Sequence, residues 1–292
     1  MKNKYAFSSS KKLVSKGMSL AALRNSGLTF AVAFTLLATG CSKDTPVMKK
    51  SQLEVFNKSA SQIAQASGTF NLGTAGAFTI LSEAGVTATA GSKVTGNVGV
   101  GPIASTAITG FGLVSDLSNR YSTSEIVEGN GRIYAPDYAA PTPSNIAKAV
   151  SDMEGAFESN SKPVRLAQDL TGQDLSGLTL SGGTYTFAAA SMLSAGGTLT
   201  LDAQDNENAK FVFQIGSSLT LGEGTRITLI NGAQAKNILW VVGSAATFGT
   251  DVKFKGTILA KTAVTLNTKD VIVGRVFAQT AVTMTGSTVK PE

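Results

Sequence analysis

From Thr69 onward, short apolar runs alternate with Gly, Ser, Asn and Asp punctuation, the pattern of many short strands separated by turns. One stretch departs from it. Between Thr142 and about Ser159, Thr142 is placed to cap a helix, Pro143 suits the first helical position, and Ile146, Ala149, Val150, Met153, Ala156 and Phe157 fall on one face. The pattern predicts a mainly β chain containing one amphipathic helix over 142–159.

Comparing the chain with itself sharpens this. GTILAKTAVTLNTKDVIV at 256–273 is followed directly by GRVFAQTAVTMTGSTVKP at 274–291, so that Thr262/Thr280, Ala263/Ala281, Val264/Val282 and Thr265/Thr283 pair at an offset of 18. At the same offset Ser244 and Thr247 fall beside Thr262 and Thr265, and at an offset of 27 Ser217 and Thr220 fall beside Ser244 and Thr247. Thr87 takes the equivalent place near the start of the body. A repeat of about 18 residues cannot bury a core alone, whereas stacked as coils of a β-solenoid it encloses a continuous one. Strand alternation sends Val264 and Leu266 inward and leaves Ala263, Thr265 and Asn267 outside. Thr220, Thr247, Thr265 and Thr283 should then form a ladder with neighbours about 4.8 Å apart. Ser217, Ser244, Thr262 and Thr280 should form a second file at the adjoining corner.

Charge and composition narrow the chemistry. The formal charge of +6 sits in the first forty residues, which hold Lys2, Lys4, Lys11, Lys12, Lys16, Arg24 and no acid. Without them the chain is neutral, and a neutral body is a poor phosphate binder, so nucleic acid is not an expected partner. With no His and one Cys, a His-based triad, a His-ligated metal and a Cys framework are excluded. No cofactor or metal is expected.

Residues 27–40 (GLTFAVAFTLLATG) are uncharged and mostly apolar, too short for a membrane span of about 20 residues, and their basic flank fits a signal peptide over 1–40. Leu37-Ala38-Thr39-Gly40-Cys41 resembles the lipobox of bacterial lipoproteins, with Ala38 standing where Leu is usual. That resemblance implies acylation of Cys41, a tether over 41–68, and an exported body held at the outer membrane or cell surface by lipid. The alternative is an ordinary signal peptide and a freely secreted protein.

Two other constellations carry no site. Asp169, Asp174, Asp202, Asp205 and Glu207 could suggest Ca2+ or paired glycosidase carboxylates, but their spacing matches no calcium loop, and 202–208 reads as a turn. Gly182-Gly183 and Gly196-Gly197 lack the strand-to-helix context of a phosphate loop and read as coil corners. No catalytic residue is assigned, and the chain is not expected to be an enzyme.

Several long stretches, in order, carry a family resemblance: VTGNVGVGPIASTAITGF (94–111), the helical segment, GGTYTF (182–187), AKFVFQIGSSLTL (209–221), NILWVVGSAATF (237–248) and the paired TAVT coils. From about Thr69 to Glu292 the chain resembles the microbial ice-binding proteins of the discontinuous β-solenoid type. The resemblance implies a right-handed, three-sided solenoid with a long helix packed alongside, first coils beside the last, and a capping region over 112–141. The stretch 112–141 contains Arg120, Tyr121, Tyr134 and Tyr138, aromatics read as packing. It also implies an ice-binding face with a T-A/G-x-T/N pattern. TAVT at 262–265 and 280–283 matches fully, SAAT at 244–247 has Ser for Thr, and SSLT at 217–220 matches only at its ends.

Two functional readings follow. In the first, a monomer adsorbs to ice through Thr220, Thr247, Thr262, Thr265, Thr280, Thr283, Ser217, Ser244 and Thr87, and halts ice growth and recrystallisation or attaches its cell to ice. In the second, the solenoid is the spacer of an adhesin or matrix protein that binds polysaccharide or another cell. Threonine favours strands without any function. Yet residues 41–292 hold 30 Thr, and the proposed files lack the Lys and Glu of an ordinary solvated face.

Overall fold

A computed structural model describes residues 70–292. The expected signal peptide over 1–40, Cys41 and the expected tether over 41–68 lie outside the described residues. The body is a β-solenoid whose coils each pass through three faces. In one coil, Leu219–Leu221 lies on the first face, Arg226–Ile230 on the second and Ile238–Val242 on the third. The chain then returns to the first face as Ala246–Phe248, in parallel register with the strand it left: Leu219↔Ala246, Thr220↔Thr247, Leu221↔Phe248. The first face is a seven-stranded sheet. The other two form one 17-stranded sheet, because Lys253–Ala260 and Val271–Ala278 bend from the second face to the third without a break.

That bend explains the two repeat lengths. The longer coil leaves the second face at Ile230 and reaches Ile238 through a turn containing a short 3-10 stretch, Ala235–Asn237. The 18-residue coils replace this excursion with one glycine each, Gly256 (φ +112°) and Gly274 (φ +150°). A Cβ on Gly274 would lie 1.9 Å from the Gly256 carbonyl oxygen, so only glycine fits this close stacking.

The solenoid is discontinuous in sequence. Phe78–Ser82, from the first coil, pairs with Val271–Ala278 on one side (Ile80↔Val276) and Asn97–Val100 on the other. Gly85–Ala88 pairs with Ala281–Met284, and Thr288–Lys290 with Lys93–Thr95. Beyond this first coil, Val127–Glu128 and Ile133–Tyr134 add one more layer, joined by a small antiparallel hairpin, Val114–Ser115 with Ser122–Thr123. Here Tyr138 is buried with its hydroxyl 2.6 Å from Ser122 Oγ, and the Arg132 guanidinium lies 4.2 Å from the centre of the Tyr121 ring. These aromatics pack against their own neighbourhood.

Side chains pointing inward stack in files, one layer per coil. Tyr185, Phe213, Trp240, Ile258, Val276, Ile80, Val98 and Ile133 form one such file. Aromatic rings fill the longer coils and branched aliphatics the shorter ones. Phe213 and Trp240 stack with centroids 3.8 Å apart and planes 7° from parallel, while the Trp240 indole N–H donates to the Lys255 carbonyl at 3.1 Å.

Helix α1, Thr142–Asn160, covers the third face. Ile146, Ala149, Met153 and Ala156 are buried against Leu81, Leu239, Val241, Leu259 and Phe277. The strands beneath are therefore apolar on both sides, which is why Ile238–Val242 reads as an unbroken apolar run. Thr142 does not cap the helix as its sequence position suggested. It is the first helical residue, and its hydroxyl donates to the Arg120 carbonyl at 2.7 Å, tying the helix start to the preceding layer. At the other end, the Gln214 side-chain amide donates to the Asn160 and Lys162 carbonyls at 2.6 and 2.8 Å.

Candidate functional site

The three faces differ in what they offer to solvent. The third is covered over most of its strands by α1. The second carries Lys93, Arg226, Lys253, Lys255 and Lys290, with ion pairs from Lys93 to Glu128 and from Arg226 and Lys253 to Asp251. This is an ordinary solvated surface. The first face is open, and none of its seven strands contains a charged residue.

Alternation builds that face as the sequence predicted. Val264, Leu266, Val282, Met284, Leu219, Leu221, Ala246 and Phe248 are buried, and the residues between them point outward. Backbone register places Thr220, Thr247, Thr265, Thr283 and Thr87 in one file. Thr220, Thr247 and Thr87 are exposed, and Thr265 and Thr283 half-exposed. Beside it runs the corner file. The Ser244 N–H donates to the Ser217 carbonyl at 3.0 Å and the Thr262 N–H to the Ser244 carbonyl at 3.2 Å. Thr280 extends this file by its 18-residue offset, and its carbonyl accepts the Ala84 N–H at 3.0 Å. All nine predicted positions thus lie on one surface. On the other side of the ladder, Asn267 turns its amide inward to the Phe248 carbonyl at 2.7 Å, so its side chain staples coils together.

Sequence reasoning missed both ends of the ladder. Thr109 pairs with Thr87 and extends the file by one residue, its hydroxyl 2.9 Å from that of Thr87. The signal was present, since residues 106–109 read TAIT. At the opposite end Met192, 48% exposed, pairs with Thr220, and Asp174 bridges to Met192. The threonine file stops there.

Charges stand along the edges of the face. Lys261 is drawn toward α1, its ammonium 5.5 Å from the centre of the Phe157 ring. Glu83, at the same corner, has its carboxyl pushed up to about 7, first by burial and then by the negative charge of Glu154. At the other corner Asp270 is buried and pushed up to about 6 by that burial, although it accepts the backbone N–H groups of Val252 at 2.9 Å and Asn267 at 2.6 Å.

The carboxylates that suggested calcium or catalysis do not converge. Asp169 accepts the Thr171 N–H and hydroxyl, and Asp202 accepts the Gln204 N–H and the Asn231 amide. Asp174 is partly desolvated, yet hydrogen bonds from Ser194 and Ser176 hold it at about 2. Asp205 is a turn residue with φ +62°. Each closes a coil corner, and among the described residues no group of three or more His, Cys, Asp or Glu is placed to hold a metal ion.

Comparison with known proteins places this architecture. The profile of a family described as ice-binding-like matches residues 80–290. Ice-binding protein K3-B1 of Typhula ishikariensis is 39% identical over 197 residues, spanning 66% of this chain and 78% of that protein. An ice-binding protein of Flavobacterium frigoris (strain PS1) is 33% identical over 264 residues, spanning 82% of this chain and 87% of that one. Among solved structures, a glycosylated ice-binding protein from an Arctic yeast superposes with a TM-score of 0.72 at 37% identity, covering 78% of this chain and 96% of that one. The matched residues 80–290 include the whole of α1 and all seven strands of the open face, and the chain belongs to the ice-binding-like family.

Proposed function

We propose that this protein adsorbs to ice through its open threonine face, and so arrests ice growth and recrystallisation or holds its cell to ice. The observation that carries the reading is the in-register file from Thr220 to Thr87 on an exposed sheet without charge. Stacked strands repeat every 4.7 to 4.9 Å or so. Each threonine sets a methyl and a hydroxyl at that interval, a rigid lattice on which the adjacent water is ordered before contact. Ser217, Ser244, Thr262 and Thr280 widen the lattice to two files. Relatives named as ice-binding proteins support the same reading.

The role is one of binding without a chemical step, and the adsorbing unit is the monomer. Acylation of Cys41 would hold the body at the outer membrane or cell surface, so that adsorption brings the cell to the ice. Without the lipid the same face would act in the surrounding liquid.

The test is thermal hysteresis and crystal shape with the purified protein, alongside recrystallisation inhibition. Faceted crystals with a gap between melting and growth are expected. A folded protein that leaves ice growth unchanged refutes the reading and favours the adhesin alternative.

A further inference from the structure

The open face continues past the first coil, and we infer that Thr106 and Thr109 belong to the ice-contacting surface. This deepens the proposed function and rests on it. Ile108–Thr109 is the last strand of the seven-stranded sheet, with Val86↔Ile108 and Thr87↔Thr109 in register. Thr109 is exposed and continues the central file. Thr106 is also exposed, and it stands two residues before Ile108 as Ala84 stands two before Val86. The corner file, interrupted at Ala84, therefore regains a hydroxyl here.

This end is built as rigidly as the middle. Ser105 is clamped by Asp137, whose carboxylate accepts the Ser105 N–H at 2.9 Å and its hydroxyl at 2.7 Å, which fixes the 3-10 turn Ser105–Ala107 that leads into the strand. Gly85 (φ +139°) lets the turn press against the sheet, since a Cβ there would lie 2.7 Å from the Ala107 carbonyl oxygen. Gly110 (φ +78°) then turns the chain away, where a Cβ would collide with the Ala88 carbonyl. Between these two tight points Thr109 Oγ1 lies 2.9 Å from Thr87 Oγ1, so its rotamer is set by its neighbour. From Ala104 to Gly110 there is no charged side chain. A pre-set hydroxyl and methyl continuing an adsorbing lattice add contact area at no ordering cost.

The experiment measures thermal hysteresis at equal concentration for Thr109→Tyr, Thr106→Tyr, Thr265→Tyr and the unaltered protein, with circular dichroism confirming the fold. We expect loss of most of the freezing gap in Thr109→Tyr and a smaller loss in Thr106→Tyr. Full activity in both, with Thr265→Tyr inactive, overturns the extension and leaves the proposed function standing. Full activity in all three overturns the assignment of the face itself. If Thr109→Tyr fails to fold, Thr109→Val carries the question. It keeps the shape and removes the hydroxyl, and reduced activity at a native melting temperature supports the inference, while unchanged activity overturns it.

Discussion

Thr283 and Thr87 are paired neighbours on the open sheet, although one belongs to the last coil of the chain and the other to the first. The seam between the first and last coils therefore crosses the threonine ladder, with Thr265 and Thr283 of the last two coils on one side and Thr87 and Thr109 on the other. A bulky ring at the seam should break contact on both sides. Thr283→Tyr is expected to abolish most of the thermal hysteresis while leaving the melting temperature of the protein near its native value, because the side chain points outward. Thr228→Tyr, exposed on the charged face, is the matched control and should stay fully active. Equal loss in the two variants would mean that the effect is not local to the face.

At the other end of the ladder Met192 occupies the position that a threonine fills in the next six strands. Met192→Thr should lengthen the lattice by one row and raise thermal hysteresis at equal concentration. Stability should change little at this exposed position, by about 0.5 kcal/mol or less. A decrease would show that the methionine's own apolar surface contributes to adsorption.

The stacked aromatics of the longer coils support the face from below. Trp240→Ala removes a fully buried ring that stacks on Phe213 and leaves a cavity beneath the coil carrying Thr247. The expected cost is about 3–5 kcal/mol, measurable by chemical denaturation. Gly274→Ala should cost about 2–4 kcal/mol by a different route, a forced positive φ together with collision against the Gly256 carbonyl. A neutral result there would refute the close stacking at this corner.

Stability should also depend on pH in a defined sense. Burial raises Glu83 to about 7 and Asp270 to about 6, so both hold their protons more tightly folded than unfolded. Their contribution is fully present below the unfolded values, near pH 4, and is lost as pH rises through about 6 and then about 7. Asp152 acts oppositely. Hydrogen bonds from the Thr74 hydroxyl and N–H, then Lys148, lower it to about 2, so its contribution is lost as pH falls from about 4. The melting temperature should therefore peak near pH 4 to 5, within about one unit, and decline toward pH 8. Glu83→Gln should flatten the upper part of that decline, and an unchanged slope would exclude Glu83 as its source.

The repeat made the ladder legible because a strand's period of two and a constant coil length together fix which side chains share a face. Thr262, Thr265, Thr280, Thr283, Ser244 and Thr247 followed from the offset of 18, Ser217 and Thr220 from the offset of 27, and Thr87 from the local pattern of apolar and hydroxyl positions. The helix was legible from its apolar spacing. Thr109 was harder to place, because it lies outside any offset of 18 or 27 from its neighbours in the sheet; the local TAIT at 106–109 is its one sequence signal, and the pairing with Thr87 puts it in the file. Met192 was missed for the same reason, since pairing rather than composition places it in the file. Thr142 looked like a cap because of its residue type, but a tertiary partner, the Arg120 carbonyl, claimed its hydroxyl. The exchange of a loop for Gly256 and Gly274 appears in sequence only as a change of period.

Helix α1 also acts as a gauge. It carries the chain from the strand Asn97–Val100, where Ile146 packs close to Gly101, to the strand Phe211–Ile215, where Gln214 holds its end. Its 19 residues span about 28 Å at 1.5 Å per residue. The strand spacings it crosses sum to a similar length, at about 4.8 Å each. Coil number and helix length are therefore coupled: a variant solenoid with one more coil on this side needs about three more helical residues, close to one turn. A coil inserted without them would leave the helix short of the far end. A chain of this architecture can thus add a coil between these two strands only by growing in two places at once.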